Sequence, residues 1–202
     1  IYIILKNNDL RVKNIKDKTT TIAGSTINTQ DATINTGQLN ILASKNSKTK
    51  DETSKNVETT ISGSTSSPTP TQSYGIGTDN TQEETTTYTN SKLNISNNLQ
   101  TNIEKSANLQ GANIYVGNEA NINIKENLNI NSKQNTHTSK TVSKNAGAST
   151  DGSSINTGLN IAKTKTKQTI QSSIIAKKLD IKVDQNTYLE GSIIASAQYD
   201  EK

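Results

Sequence analysis

The 202-residue sequence predicts an all-β fold, a parallel β-solenoid (β-helix) broken by polar β-hairpin or loop excursions. Three observations carry that prediction: short internal repeats, a two-residue periodicity inside them, and an apolar set dominated by isoleucine. The repeats come first, because self-similarity at a fixed period is the signature of a stacked architecture. Ile170-Gln171-Ser172-Ser173-Ile174-Ile175 matches Leu189-Glu190-Gly191-Ser192-Ile193-Ile194, nineteen positions later. Ile22-Ala23-Gly24-Ser25-Thr26-Ile27 and Leu109-Gln110-Gly111-Ala112-Asn113-Ile114 are further copies. A second unit recurs as Leu39-Asn40-Ile41, Leu93-Asn94-Ile95, Leu128-Asn129-Ile130, Leu159-Asn160-Ile161 and Leu179-Asp180-Ile181.

Inside these units apolar and polar residues alternate, which sends one set to an interior and the other to water. From residue 112 to 130 the inward set is Ala112, Ile114, Val116, Ala120, Ile122, Ile124, Leu128 and Ile130. Later the odd positions take over: Leu179, Ile181, Val183, Leu189, Gly191, Ile193 and Ala195. Gly117-Asn118, Lys125-Glu126-Asn127 and Gln185-Asn186 break the strands to three to five residues. Short strands on a period of nineteen to twenty fit one coil of a solenoid, each stacking about 4.8 Å from the next.

Composition points the same way. Ile, Leu and Val number 24, 11 and 5, Phe and Trp are absent, and Thr, Asn and Ser fill much of the remainder. β-Branched side chains suit a pleated surface and lose rotamer freedom in a helix, which argues against a helical bundle. The narrow interior of a coil needs few apolar residues, and Asn and Thr can stack outside it in hydrogen-bonded ladders. A net charge of +4 is too small for the charge-driven kind of disorder. The chain starts at Ile1 and has no methionine, so an excerpt of a longer protein is expected. Its longest apolar run, Ile1 to Leu5, which includes Tyr2 to Leu5, is too short for a signal peptide or membrane span.

The expected organisation is solenoid over 1–43, 91–131 and 170–202, with polar excursions at 44–90 and 132–169. The first excursion holds Pro68 and Pro70 and reads as hairpin or partly disordered loop. The second reads as a hairpin turning at Asp151-Gly152, a tight-turn dipeptide, and Leu159-Asn160-Ile161 can belong to it instead of to a coil.

Chemistry is sparse. No cysteine is present, so disulfides, thiol catalysis and thiolate metal sites are excluded together. His137 is the only histidine and reads as a solvated loop residue without metal-ligand partners. Asp51-Glu52 and Glu83-Glu84 read as solvated acidic loops, since neither lies in an alternating-Asp calcium loop. No Gly-x-Ser-x-Gly elbow occurs. The sequence pI is about 9.1. Base readers nevertheless need arginine forks and stacking aromatics, and Arg11 is the only arginine. Lys163-Thr164-Lys165-Thr166-Lys167 instead has the alternation of an exposed strand. The expectation is no enzyme, no catalytic, cofactor or metal residue, no nucleic acid and no small-molecule substrate. Polysaccharide-processing β-helices are the enzymatic comparison, and they cluster carboxylates on one rod face, which no repeat here does.

Residues 31–44 (Asp31-Ala32-Thr33-Ile34-Asn35-Thr36-Gly37-Gln38-Leu39-Asn40-Ile41-Leu42-Ala43-Ser44) resemble a repeat of the filamentous haemagglutinin type. Asn186 to Ser196 does so too. The order of coils and polar insertions over about Thr20 to Ser196 is similar to the later repeat region of two-partner-secretion exoproteins. These include the CdiA-type contact-dependent growth-inhibition proteins, in which that region precedes a C-terminal toxin. One departure stands out: Asn and Lys often replace the family's glycine-rich turns. The resemblance implies a right-handed β-helix and export through an outer-membrane transporter partner. It also implies display on a Gram-negative surface, with a target-cell outer membrane or surface receptor as partner. The implied role is support of toxin delivery, with an adhesin stalk for host-cell or biofilm attachment as the alternative.

Overall fold

A computed structural model describes residues 2–6, 8–14, 17–63, 71–150 and 154–196. The described residues contain strands and no helix. By contacts they divide into two units. One comprises Ile1–Asn46, Thr87–Asn135 and Gln168–Lys202, the other Ser47–Thr86 and Thr136–Lys167.

The first unit is the parallel β-helix. Its first coil contains β1 (Tyr2–Lys6), antiparallel to β2 (Asp9–Lys13), then β3 (Thr19–Ala23) and β4 (Thr26–Thr29). The second coil contains β5 (Asp31–Thr36) and β6 (Gln38–Leu42). It detours through β7 (Ser44–Ser62) and β8 (Thr71–Thr89), and closes with β9 (Ser91–Ile95). The third runs through β10 (Leu99–Ile103), β11 (Ala107–Gln110) and the first half of β12 (Ala112–Ile124), which turns at a bulge between Val116 and Glu119 into the fourth coil. The fourth continues through β13 (Leu128–Asn131), detours through β14 (Lys133–Ser149) and β15 (Ile155–Ile170), and enters β16 (Ser173–Val183). The end of β16 opens the fifth coil, which β17 (Thr187–Glu190) and β18 (Ile193–Ser196) complete.

Each coil pairs in parallel with the next on three faces. One face is the sheet β17-β13-β11-β6-β3. Leu99 lies opposite Ala120 and Ser173 opposite Ile193, 21 and 20 residues on, while the first coil takes 22 from Asp9 to Asp31 and 19 from Thr19 to Gln38. Register explains the alternation in the sequence. Ile22, Ile41, Leu109, Ile130 and Leu189 form one interior column, and Ile27, Leu93, Ile114, Ile174 and Ile194 another. All eight inward residues expected between 112 and 130 are buried. Outside, Asn102 donates to Asn35 at 2.8 Å, Asn108 to Asn40 at 3.0 Å and Asn129 to Asn108 at 2.8 Å. These are the amide ladders that the composition predicts.

The last coil corrects part of the odd-numbered set. Leu179, Ile181 and Val183 pack against the core, but of the next pair Ile194, not Ile193, does so. Gly191 has φ +58° and turns the chain through a corner, which resets the phase. Ile193 therefore aligns with outward Ser173, and the repeat in that pair has a spacing of twenty, not nineteen. Leu189 occupies an interior column yet is exposed, since no further coil stacks on it among the described residues.

Four interior columns include threonine. The Thr20 and Thr36 hydroxyls bond each other at 2.8 Å. Thr101, between Ile34 and Ile122, is buried with no partner for its oxygen. A buried unpaired hydroxyl costs roughly 1–3 kcal/mol. Thr101→Val is therefore expected to raise stability by about 1–2 kcal/mol, read from the denaturant midpoint. An unchanged midpoint would show that the hydroxyl is satisfied.

The second unit is a four-stranded sheet in the order β15-β14-β8-β7. β8 and β14 pair antiparallel from Thr86 opposite Thr136 to Ser73 opposite Ser149. Within residues 44–90, for which the sequence offers hairpin or partly disordered loop, β7 and β8 are regular strands side by side in the sheet. The two excursions also join into one sheet, a long-range pairing that no local signal encodes. Leu159-Asn160-Ile161 lies in β15, so that copy of the repeat is no coil. Pro68, Pro70 and Asp151-Gly152 lie outside the described residues.

Candidate functional site

The residues with catalytic potential are not brought together. His137 sits in strand β14, not in a loop, half-buried with Nδ1 2.9 Å from the Thr85 hydroxyl. Asp51-Glu52 and Glu83-Glu84 are likewise in strands. Neighbours along a strand point to opposite faces, so neither pair can act as a two-carboxylate site. Glu52 instead bonds Lys50, which holds its carboxyl below the ordinary range and raises the lysine. Both are fully exposed, so this pair gives pH little hold on the fold. Among the described residues no group of three or more His, Cys, Asp or Glu could hold a metal ion. An open depression of about 830 Å³ between the first coils offers Asn8, Gln30, Asn94, Ser96 and Tyr115, with no carboxylate in its lining.

What the β-helix does organise is the corner from which both excursions leave. At this corner coils one, three and five carry Gly24, Gly111 and Gly191, all with φ near +60°. L-residues pay for that conformation through a clash of Cβ, and glycine does not. Coils two and four leave for their excursions there, after Leu42 and Asn131. Gly111 is needed for space as well. A Cβ on it would lie 2.6 Å from Ala43 Cβ, 2.9 Å from Asn90 Oδ1 and 3.0 Å from Lys133 Cγ, the roots of both excursions. Across the gap left by the missing side chain, Asn90 Nδ2 donates to the Gln171 carbonyl at 2.7 Å.

Two fully buried serines close the necks. Ser91, where the chain returns from the first excursion, donates to the Leu42 carbonyl at 2.6 Å and accepts from Ser25 N at 3.2 Å. Ser172 repeats the arrangement after the second. It donates to the Asn131 carbonyl at 2.8 Å and accepts from Gly111 N at 2.9 Å and Ala112 N at 3.2 Å. Each hydroxyl therefore ties the exit of an excursion to its return and to the preceding coil. Sequence reasoning passed over these serines, because serine is abundant and was weighed only as a nucleophile. A signal was present: after the corner each coil has a small residue, namely Ser25, Ser91, Ala112, Ser172 and Ser192. Ser172→Ala leaves Ala112 N without this acceptor inside the protein, at an expected cost of about 1–3 kcal/mol. Exposed Ser154→Ala should cost under about 0.5 kcal/mol. Equal denaturant midpoints for the two variants would contradict the role given to Ser172.

No curated protein and no solved structure matches the chain. A family model does: the one described as hemagglutinin repeat, over residues 3–148. That match takes in the first three coils, the fourth as far as β13, the first excursion and most of β14, well over half of the sequence, and the chain belongs to the haemagglutinin-repeat family.

Proposed function

We propose that this chain is a non-catalytic repeat segment of a large exoprotein, and that it supports toxin delivery in contact-dependent growth inhibition. The observation that carries the reading is the haemagglutinin-repeat match over residues 3–148. Such repeats are typical of secreted cell-surface exoproteins. The architecture agrees with that role. In a solenoid each coil contacts only its neighbours, so coils can fold one after another as a chain emerges from a pore. Interior columns and amide ladders supply cohesion without cysteine, so passage through an outer-membrane transporter of the two-partner type needs no oxidation step. The expected second partner is the outer membrane or a surface receptor of a target cell. The separated carboxylates and the histidine bonded to threonine favour a role without catalysis.

The name of the family favours a second reading, an adhesin stalk for host cells or biofilm. Removal of residues 9–196 from the parent protein separates the two. Surface display is measured by antibody, inhibition of susceptible neighbours in co-culture, and attachment to host cells or biofilm. Toxin delivery predicts retained display and attachment with loss of inhibition. Loss of attachment with inhibition retained would overturn it in favour of the stalk.

A further inference from the structure

The four-stranded sheet of the second unit has one apolar and one polar face. Numbers rise on β7 as they fall on β8: Thr53 donates to Asn80 at 3.0 Å and the Ser47 and Thr86 hydroxyls are 3.5 Å apart. That register sets Val57 opposite Ile76 and Ile61 opposite Gln72. Ile76 lies opposite Ala146 and Tyr74 opposite Ala148. Ser149 N donates to the Ser154 carbonyl at 3.1 Å, and Asn145 fills the space over Gly158. Ile155 therefore stands opposite Ala148 and Ile161 opposite Val142.

Directly opposed residues share a face, and alternate residues along a strand do so as well. Val57, Ile61, Tyr74, Ile76, Ile155, Leu159 and Ile161, the exposed large hydrophobics of this sheet, thus all project from one side. The other side, over the same stretch, presents Asn56, Gly75, Gly77, Asn145, Gly147 and Gly158. Seven exposed apolar side chains on one face, with glycine and asparagine behind them, are more than scattered surface hydrophobics. Further along the apolar face come Lys140, Lys163, Lys165 and Lys167, with Asp51 and Glu84 on β7 and β8, and Lys55 and Lys144 mark the transition.

We propose that this face is an interface with a second copy of the chain, the two sheets packing face to face about 10 Å apart. The occupant is argued from area and charge. Four strands at about 4.8 Å and nine residues at about 3.4 Å give roughly 600 Å² per copy, so a pair buries about 1,200 Å², the lower end of specific interfaces. A flat sheet face is matched best by another flat sheet face. A two-fold axis running across the strands overlaps the apolar halves and sends the lysine rows of the two copies in opposite directions.

The test is sedimentation equilibrium of the 202-residue chain at micromolar concentrations, at low and high salt. The expected result is a dimer that tightens with salt, as screening weakens the remaining lysine repulsion. Ile76→Glu with Leu159→Glu should weaken it at least tenfold, whereas Thr60→Glu on the polar face should not. Because the chain has no cysteine, single Ile76→Cys and Thr60→Cys variants give a second readout that does not depend on a charge substitution. Oxidation should yield covalent dimer from the first only. A monomer throughout the concentration range, or equal cross-linking of both cysteines, would overturn the proposal. So would a monomer that binds phosphatidylglycerol vesicles through this face and is released by salt.

Discussion

Ile124→Ala is expected to lower the stability of the β-helix by about 2–5 kcal/mol, the range for removing a large aliphatic side chain from a core. Ile124 is 2% exposed and stacks between Ile103 and Val183 in the adjoining coils. Backbone pairing fixes those coils on either side, so they cannot close on the space that alanine leaves. Asn123, one residue earlier, points outward and ends its ladder with a 3.4 Å bond to Asn102. Its replacement by alanine should cost about 0.5 kcal/mol or less. Denaturant melts of the two variants check the register directly, because a one-residue slip would exchange the outcomes. A more damaging Asn123→Ala would refute the interior assigned here.

The second large effect is at the corner. Gly111→Ala should cost about 2–4 kcal/mol, combining left-handed strain with overpacking against Ala43, Asn90 and Lys133. Gly191 supplies the control. Its φ is also near +60°, but a Cβ there would meet Ser132 Cβ only at 3.5 Å, an ordinary contact. Gly191→Ala should thus show the strain alone, about 1–2 kcal/mol. The difference between the two melts isolates the close approach of the two excursion roots. Equal losses would mean that the packing around Gly111 relaxes without cost.

Function is read from family membership and architecture more than from any cluster of reactive groups. A repeat segment of a large exoprotein needs stacking that continues coil by coil, and such stacking needs no reaction centre. The further inference adds a different surface, the apolar face of the excursion sheet, whose chemistry is independent of the delivery reading.

By itself the sequence determined the fold class, the eight inward residues between 112 and 130, and the outward asparagine ladders. These follow from alternation, since a two-residue period assigns faces wherever a strand continues unbroken. Tertiary structure alone decided the phase after Gly191, because a left-handed glycine at a corner resets the alternation and composition does not show its φ. It decided that residues 44–90 and 132–169 meet in one sheet, since Ile76 and Ala146 are seventy residues apart and nothing local selects that partner. It placed Ser172 beneath Gly111, sixty-one residues away, where a hydroxyl closes the neck of an excursion. Local pattern encodes which way a side chain points. Which distant backbone it meets depends on how the coils stack, and that is a property of the whole chain.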